Sequence, residues 1–378
     1  MKHGGDIYTD GILKGKELID FSSNINPLGV PKSFTDNIQE AIDNLNKYPD
    51  IKYRRLKGYV AGYVNNGEVL FGKFKKDPKF IKDGHGKLVD QKHIVLGNGA
   101  AEIIDLVIST LKKVMIITPS FGEYEENAKK HGCQIVYINS TENMDYDYKE
   151  IFNNLNKVDG IIVANPNNPD GRILKEEEFK TILDYCEQNN KLVIIDEAFI
   201  EFVGDINKSF VDKIRKYKCL FIIRALTKFY AMPGIRFGFG ISQNEKIIEK
   251  IKSMQNPWNI NAFAEVAAKY VLKDEEYIKK SLKWITKERE IFLEEIRKIE
   301  FIEKAYDTHG NFILCKLKGI DCELLYNLCL KEGVVIRKCD NYKGLDKSFI
   351  RVAIKDRCTN KILINKLNKL NKLWRDFK

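Results

Sequence analysis

The sequence predicts an α/β protein built on a mainly parallel β-sheet with helices on both faces. Two observations carry this. From residue 93 onward, short continuous apolar runs alternate with helical segments: "HIVLG", "VMIITPSF", "QIVYIN", "GIIVANPNNPDG", "KLVIIDEAF" and "CLFIIRALTK". A strand covered on both faces needs no polar side, so such runs read as parallel strands packed between helices. Turn residues also follow the carboxyl ends of these runs, as "GNG", "TPSF", "NPNNPDG" and "DEAF". In open α/β sheets ligands bind along that edge, so the chemistry should collect there.

Each element follows in order. The opening "MKHGGDIYTDG" has no apolar stretch ending in a small-residue cleavage site, so no signal peptide is expected. "ELIDFSSNINPLGVP" reads as a short strand running into a turn. "KSFTDNIQEAIDNLNKY" has helical spacing, with Ile38, Ile42 and Leu45 on one apolar face. Residues 66–91 are polar, glycine-rich and weakly patterned, which reads as a long loop or hairpin excursion. "HIVLGNGAAEIIDLVISTL" is a strand, a glycine turn and a helix, and "GEYEENAKKHG" and "KEEEFKTILDYCEQNN" are helical separators between later strands. After "FGFGI" come long amphipathic stretches over 243–300. A compact α+β unit follows, with strands "NFILCKL", "VVIRKC" and "SFIRVAI" and a helix "CELLYNLCLKEG".

A chain of 378 residues suggests two domains, or one large domain with an elaboration, and buries a core without a disulfide or metal staple. No run approaches eighteen apolar residues, so no membrane span is expected. The eight cysteines include no CxxC pair. Cys315, Cys322 and Cys329 are evenly spaced but fall on a strand-like and a helix-like segment, while Cys133, Cys186 and Cys219 sit in apolar contexts. These point to a reducing cytoplasm, with no zinc and no disulfides. The net charge is +10, but the lysines are spread along helices and paired with glutamates rather than gathered in one block. That disfavours a nucleic-acid partner and leaves a positive field suited to an anionic substrate.

The candidate residues lie at the strand ends. "GNGAAE" places glycines between a strand and a helix start, where backbone N–H groups can cradle a phosphate, or simply make a tight turn. Phe121 in "PSFGEY" is either an aromatic platform just past a strand or a core aromatic. The asparagines of "NPNNPDG" can donate to an oxygen anion, or serve an asparagine-rich turn. Asp196 ends the apolar "LVII" and needs a cationic or hydrogen-bonded partner if buried, and Glu197 reads as a helix-start anion. In "RALTKFYAMPGIRFG", Arg224, Lys228 and Arg236 stand among apolar and aromatic residues, and Pro233 and two glycines prevent one long helix. A half-buried lysine such as Lys228 either pairs with an acid or acts as an amine nucleophile.

In this order and spacing the motifs resemble those of fold-type I pyridoxal-phosphate (PLP) enzymes, in the histidinol-phosphate aminotransferase-like group, over nearly the whole chain. "HGGDIY", "DFSSNINPLGVP", "NKYPD", "DEAFIEF", "LTKFYAMPGIRFG", "NPWNINAFA" and "CDNYKGLDKSFIRVAI" are most similar to the L-threonine-O-3-phosphate decarboxylase branch. The resemblance implies a large domain over 47–245 with a mixed, mainly parallel seven-stranded sheet. It also implies an N-terminal segment (1–46) that joins a small α+β domain (275–378), and a connecting helical region (246–274). PLP would be the cofactor and no metal would be needed. Lys228 would bind PLP covalently, Asp196 would keep its ring nitrogen protonated, and Asn168 would bond the ring hydroxyl oxygen. Phe121 would stack on one face of the ring and Ala198 pack on the other. Gly99, Ala100, Thr227 and Arg236 would hold the cofactor phosphate, with Tyr48 reaching in from the partner subunit of a homodimer. Arg351 would bind the substrate carboxylate as a fork, with His3, Asn24 and Arg337 nearby and His3 and Arg337 facing the substrate phosphate. Phe199 stands where many relatives carry a tyrosine, and Ala225 where a serine phosphate donor is usual.

The activity the resemblance implies is decarboxylation of O-phospho-L-threonine to (R)-1-aminopropan-2-ol O-phosphate, a step of cobalamin biosynthesis. The alternative is a histidinol-phosphate or related aminotransferase passing an amino group to 2-oxoglutarate. The same residues support both, because the outcome depends on which substrate bond the pinned anions align for cleavage. No role for Arg224 follows from the sequence.

Overall fold

The computed structural model describes residues 3–67 and 88–376. Most of the excursion expected at 66–91 therefore lies outside the described residues. A two-residue strand, β1 (Ile19–Asp20), comes first. The large sheet then takes β2 (Ile94–Gly97), β3 (Lys113–Thr118), β4 (Gln134–Asn139), β5 (Gly160–Ala164), β6 (Leu192–Asp196), β7 (Leu220–Ala225) and β8 (Gly238–Ile241). Their order across the sheet is β2-β8-β7-β6-β5-β3-β4. β8 runs antiparallel to both of its neighbours, and the other pairings are parallel, giving the mixed, mainly parallel seven-stranded sheet that was expected.

The continuous apolar runs have a direct cause. In β5, Ile161 and Val163 enter one core cluster while Ile162 and Ala164 enter the other. Helices Ala100–Ile108, Glu123–Lys130 and Glu245–Met254 cover one face, through residues such as Ile104, Tyr124 and Ile248. Helices Arg54–Asn65 and Glu176–Gln188 cover the other, through Leu56, Val60, Phe179 and Ile182. With both faces dry, alternation by two gives apolar residues at every position, and each buried side chain contributes about 1.5–3 kcal/mol.

The C-terminal part holds an antiparallel sheet of β9 (Ile302–Ala305), β10 (Phe312–Leu317), β12 (Arg337–Lys338) and β13 (Phe349–Ala353), in the order β12-β13-β10-β9. Between them in sequence, β11 (Val334–Val335) pairs in parallel with β1, Ile19 opposite Val334. That pairing ties the N-terminal segment to the C-terminal unit. The long helix Glu275–Arg297 packs beside β9 and against the C-terminal helix Arg357–Asp376.

One expected element differs. The segment 32–48 is not a single helix but two short ones, Lys32–Thr35 and Ile38–Asp43. Its apolar stripe does not face the core: Ile38, Ile42 and Leu45 are exposed, and Phe34 and Ala41 are buried. Helical spacing says which side chains share a face, not which face the chain covers. The eight cysteines are free thiols, seven of them buried and Cys358 exposed.

Candidate active site

A cavity of about 430 Å³ opens at the carboxyl edge of the large sheet, between it and the C-terminal unit. Its wall includes His3, Asn24, Ala100, Phe121, Asn168, Asp196, Ala198, Thr227, Lys228, Arg236, Arg337 and Arg351. Twelve residues singled out from the sequence, spread from position 3 to 351, thus converge on one space of the size that takes a small cofactor and substrate. Phe199 and Ala225 also line it.

Asp196 closes β6 and is buried. Its Oδ2 accepts from the Tyr124 hydroxyl at 2.7 Å and its Oδ1 from the Ala198 N–H at 3.0 Å. Burial pushes this carboxyl up, while Tyr124, the Ala198 N–H and the Lys228 charge pull the other way. Lys228 lies just past β7, and burial brings its ammonium down to about 8, reinforced by Arg351 and Arg236 and opposed by Asp196 and Asp20. Asn26 fixes the backbone here: its N–H donates to the Lys228 carbonyl at 3.2 Å and its side chain to the Phe229 carbonyl at 2.8 Å.

The phosphate corner forms where β2 meets the helix Ala100–Ile108. Gly99 caps that helix at φ 82°, and a Cβ there would lie 2.6 Å from Arg236 Nη2. Only glycine both adopts this conformation and lets the guanidinium approach. The helix N-terminus, Thr227 and Arg236 together make a site for an anion.

On the opposite wall, Arg337 and Arg351 are register partners on β12 and β13, both buried. Arg351 Nη2 donates to the Ser22 carbonyl at 2.8 Å, and its Nη1 to Asn168 Oδ1 and to the Tyr342 hydroxyl. Arg337 Nη2 donates to Asn341 Oδ1 at 2.7 Å, and its guanidinium sits 5.2 Å from the Tyr342 ring centroid. Gly171 lets the loop carrying Asn168 touch the C-terminal unit, since a Cβ there would overlap Thr308 at 1.8 Å. His3 stands at the rim, paired with Glu123 at 2.9 Å. Among the described residues Asn24 Oδ1 and Arg351 Nε, both in this wall, are buried without a hydrogen-bond partner, as polar atoms of a binding site are.

Tyr48, expected at the partner subunit's site, lies outside this chain's own cavity; it is 83% exposed and packs on Trp258 with ring centroids 4.8 Å apart. One sequence reading changes. Glu197 is not a helix-start anion: it is buried and accepts from Arg224 Nη2 at 2.9 Å, which gives Arg224 its partner. Tyr124, Tyr342, Ser22 and Asn26 were missed. Tyr124 stands three residues past Phe121 in the quoted turn, but nothing in the sequence ties it to Asp196, and Tyr342 comes from a distant turn.

The family model for aminotransferase class I and II matches residues 16–367. The chain belongs to the class I and II aminotransferase family. A protein of Caldanaerobacter subterraneus, provisionally named a threonine-phosphate decarboxylase, is 40% identical over 374 residues, covering 98% of this chain and 94% of its own. The threonine-phosphate decarboxylase of Salmonella typhimurium is 30% identical over 369 residues, covering 96% and 94%. The solved histidinol-phosphate aminotransferase of Clostridium acetobutylicum is 50% identical, with a TM-score of 0.86, over 94% of this chain and 99% of that one. Members of this family are PLP-dependent, and PLP is the cofactor here. The donor set fits it: an amine of lowered pKa, a buried carboxyl, an aromatic face and a glycine-capped anion site surround one cavity.

Proposed function

We propose that this chain is a PLP-dependent decarboxylase of O-phospho-L-threonine, releasing CO2 and (R)-1-aminopropan-2-ol O-phosphate, a reaction of cobalamin biosynthesis. The observation that supports it best is the pair Arg337 and Arg351, buried side by side across the cavity from the Arg236 corner. Two adjacent guanidiniums suit one substrate that carries both a carboxylate and a phosphate.

Bound PLP would supply the electron sink for the bond broken at the substrate α-carbon. The chain's own groups do the rest. Asp196, steadied by Tyr124 and Ala198, would hold the proton on the ring nitrogen, and Asn168 would donate to the ring oxygen. Ala100 N–H, Thr227 and Arg236 would hold the cofactor phosphate, and Phe121 would cover the ring. Lys228 would hold the cofactor through its neutral amine and, after taking up a proton from the substrate ammonium, would deliver that proton at the α-carbon. Arg351, anchored by Ser22 and Asn168, would pin the carboxylate, while Arg337 and His3 hold the phosphate. With both anions held, the direction of the scissile bond is set and CO2 leaves.

The decisive experiment is incubation of the PLP-loaded protein with O-phospho-L-threonine beside histidinol phosphate plus 2-oxoglutarate. CO2 release without consumption of a 2-oxo acid is expected. Amino transfer from histidinol phosphate with no CO2 would establish the second reading, an aminotransferase, which the 50% identity to the Clostridium acetobutylicum chain favours. In that case Arg351 would serve the carboxylate of the amino acceptor.

The working form proposed is a homodimer in which Tyr48 reaches the partner's cofactor phosphate. Tyr48, Ile38, Ile42, Leu45 and Ile51 are all exposed in the single chain. An apolar stretch of this extent calls for a covering surface.

A further inference from the structure

We propose that Glu197, Arg224 and Glu201, with Tyr63 and Tyr230, form a buried brace that sets the spacing of Asp196 and Lys228, and that Glu201 works in it as a neutral, protonated acid. The meaning of that spacing rests on the functional reading above; the cluster itself does not.

Glu197 follows Asp196 at the end of β6, and Arg224 lies on β7 shortly before Lys228. Glu197, Arg224 and Glu201 are all buried. Arg224 donates to Glu197 Oε2 through Nε at 3.0 Å and Nη2 at 2.9 Å, and to Ser209 Oγ at 2.7 Å. Glu197 also accepts from the Ser209 hydroxyl at 2.8 Å and the Phe210 N–H at 2.7 Å. Its carboxylate is therefore fully hydrogen-bonded and its charge is matched.

Glu201 has no such match. It lies in the short 3-10 helix Ile200–Val203 and accepts from the Tyr63 hydroxyl at 2.8 Å, while its Oε2 is buried without a partner. Among the described residues no cation lies within ion-pair distance of it; Arg224 pairs with Glu197 instead. The groups that face Glu201 are Arg224, Glu197, Tyr63 and Tyr230. From the helix Glu275–Arg297, Arg289 donates to the carbonyl of the next residue, Phe202. One guanidinium among two carboxylates, away from water, leaves room for a single negative charge. Arg224 pairs with Glu197, so Glu201 keeps its proton until pH rises through about 7. Burial indeed pushes the Glu201 carboxyl up to about 7, against the pull of Arg224.

The brace spans both ends of the cofactor bed. The 197–201 turn continues from Asp196, while Arg224 and Tyr230 flank Lys228, and the Tyr230 ring stacks on Tyr277 at 5.9 Å. Tyr63 brings in the helix Arg54–Asn65. An acid whose folded value lies above its ordinary 4.5 binds its proton more tightly when folded. This group's contribution to stability therefore falls as pH rises from 4.5 to about 7, then stays level where both states are ionised.

Glu201→Gln tests this, because it keeps the acceptor for Tyr63 and cannot ionise. The Tm of cofactor-free and PLP-loaded protein is followed against pH, with the visible band of bound PLP. The Gln variant should lack the fall in Tm expected of wild type as pH rises to about 7, and be the more stable at pH 8. Its band should match wild type, with kcat within about twofold. Glu201→Ala, which takes away the carboxyl acceptor of the Tyr63 hydroxyl and leaves a cavity, should shift the band and lower kcat about tenfold with little change in KM. A Gln variant less stable than wild type at pH 8, or one shifting the band as Ala does, overturns the proposal. Because Tm needs neither PLP nor substrate, a protein that turns over neither substrate would sink the functional reading while the Tm comparison still decides the brace.

Discussion

Lys228 owes its chemistry to where it is held. Burial and two neighbouring guanidiniums bring its pKa to about 8, so a useful fraction is neutral near physiological pH. Only the neutral amine attacks a carbonyl carbon. The apoprotein should therefore capture PLP at a rate that climbs with pH and levels off above about 8, read as growth of the visible band. A rate independent of pH across that range would contradict it. Lys228→Ala should remove both the band and turnover. Tyr124→Phe takes one of the hydrogen bonds from Asp196 and should lower kcat about tenfold with PLP still bound, an effect near 1.4 kcal/mol. Arg351→Lys keeps the charge but loses the fork, and should raise KM for the carboxylate substrate roughly 10- to 100-fold in steady-state assays.

At the scale of elements, the large sheet was legible because its strands are buried on both faces, which leaves an uninterrupted apolar signal in β3, β5, β6 and β7. The glycine turn before the helix Ala100–Ile108 was legible for a similar reason, since a positive φ at Gly99 leaves glycine in the sequence. Gly99→Ala should loosen the phosphate corner. It imposes about 1–2 kcal/mol of backbone strain and displaces Arg236, so equilibrium titration should show PLP affinity reduced at least about tenfold. The segment 32–48, expected as one helix with Ile38, Ile42 and Leu45 on one face, is two short helices with that face exposed, and apolar spacing carries no label for what will cover it.

At the scale of the whole molecule, Tyr48 and its apolar neighbours point to a second chain. Mixing Lys228→Ala with Tyr48→Ala chains, each inactive or weak alone at limiting PLP, gives hybrid dimers with one intact site. Random pairing should restore about a quarter of wild-type activity, and sedimentation should show a dimer. A monomer of full activity would refute the shared site. No helix among the described residues is long and apolar enough to cross a membrane.

By itself the sequence determined the α/β alternation and singled out the strand ends, with Asp196 and Lys228 as candidates, while Asn168, Arg236 and Arg351 drew their expected roles from the family resemblance. The first are local signals, set by burial periodicity and by residue types that are costly to place near a core. What only the tertiary structure decided were the partnerships. Tyr124 meets Asp196, Tyr342 meets Asn168 across 174 residues of sequence, and Arg224 meets Glu197 rather than the cofactor. The physical reason is that a buried polar group is stabilised by whichever complementary atom the fold brings within about 3 Å, and sequence separation does not limit that choice.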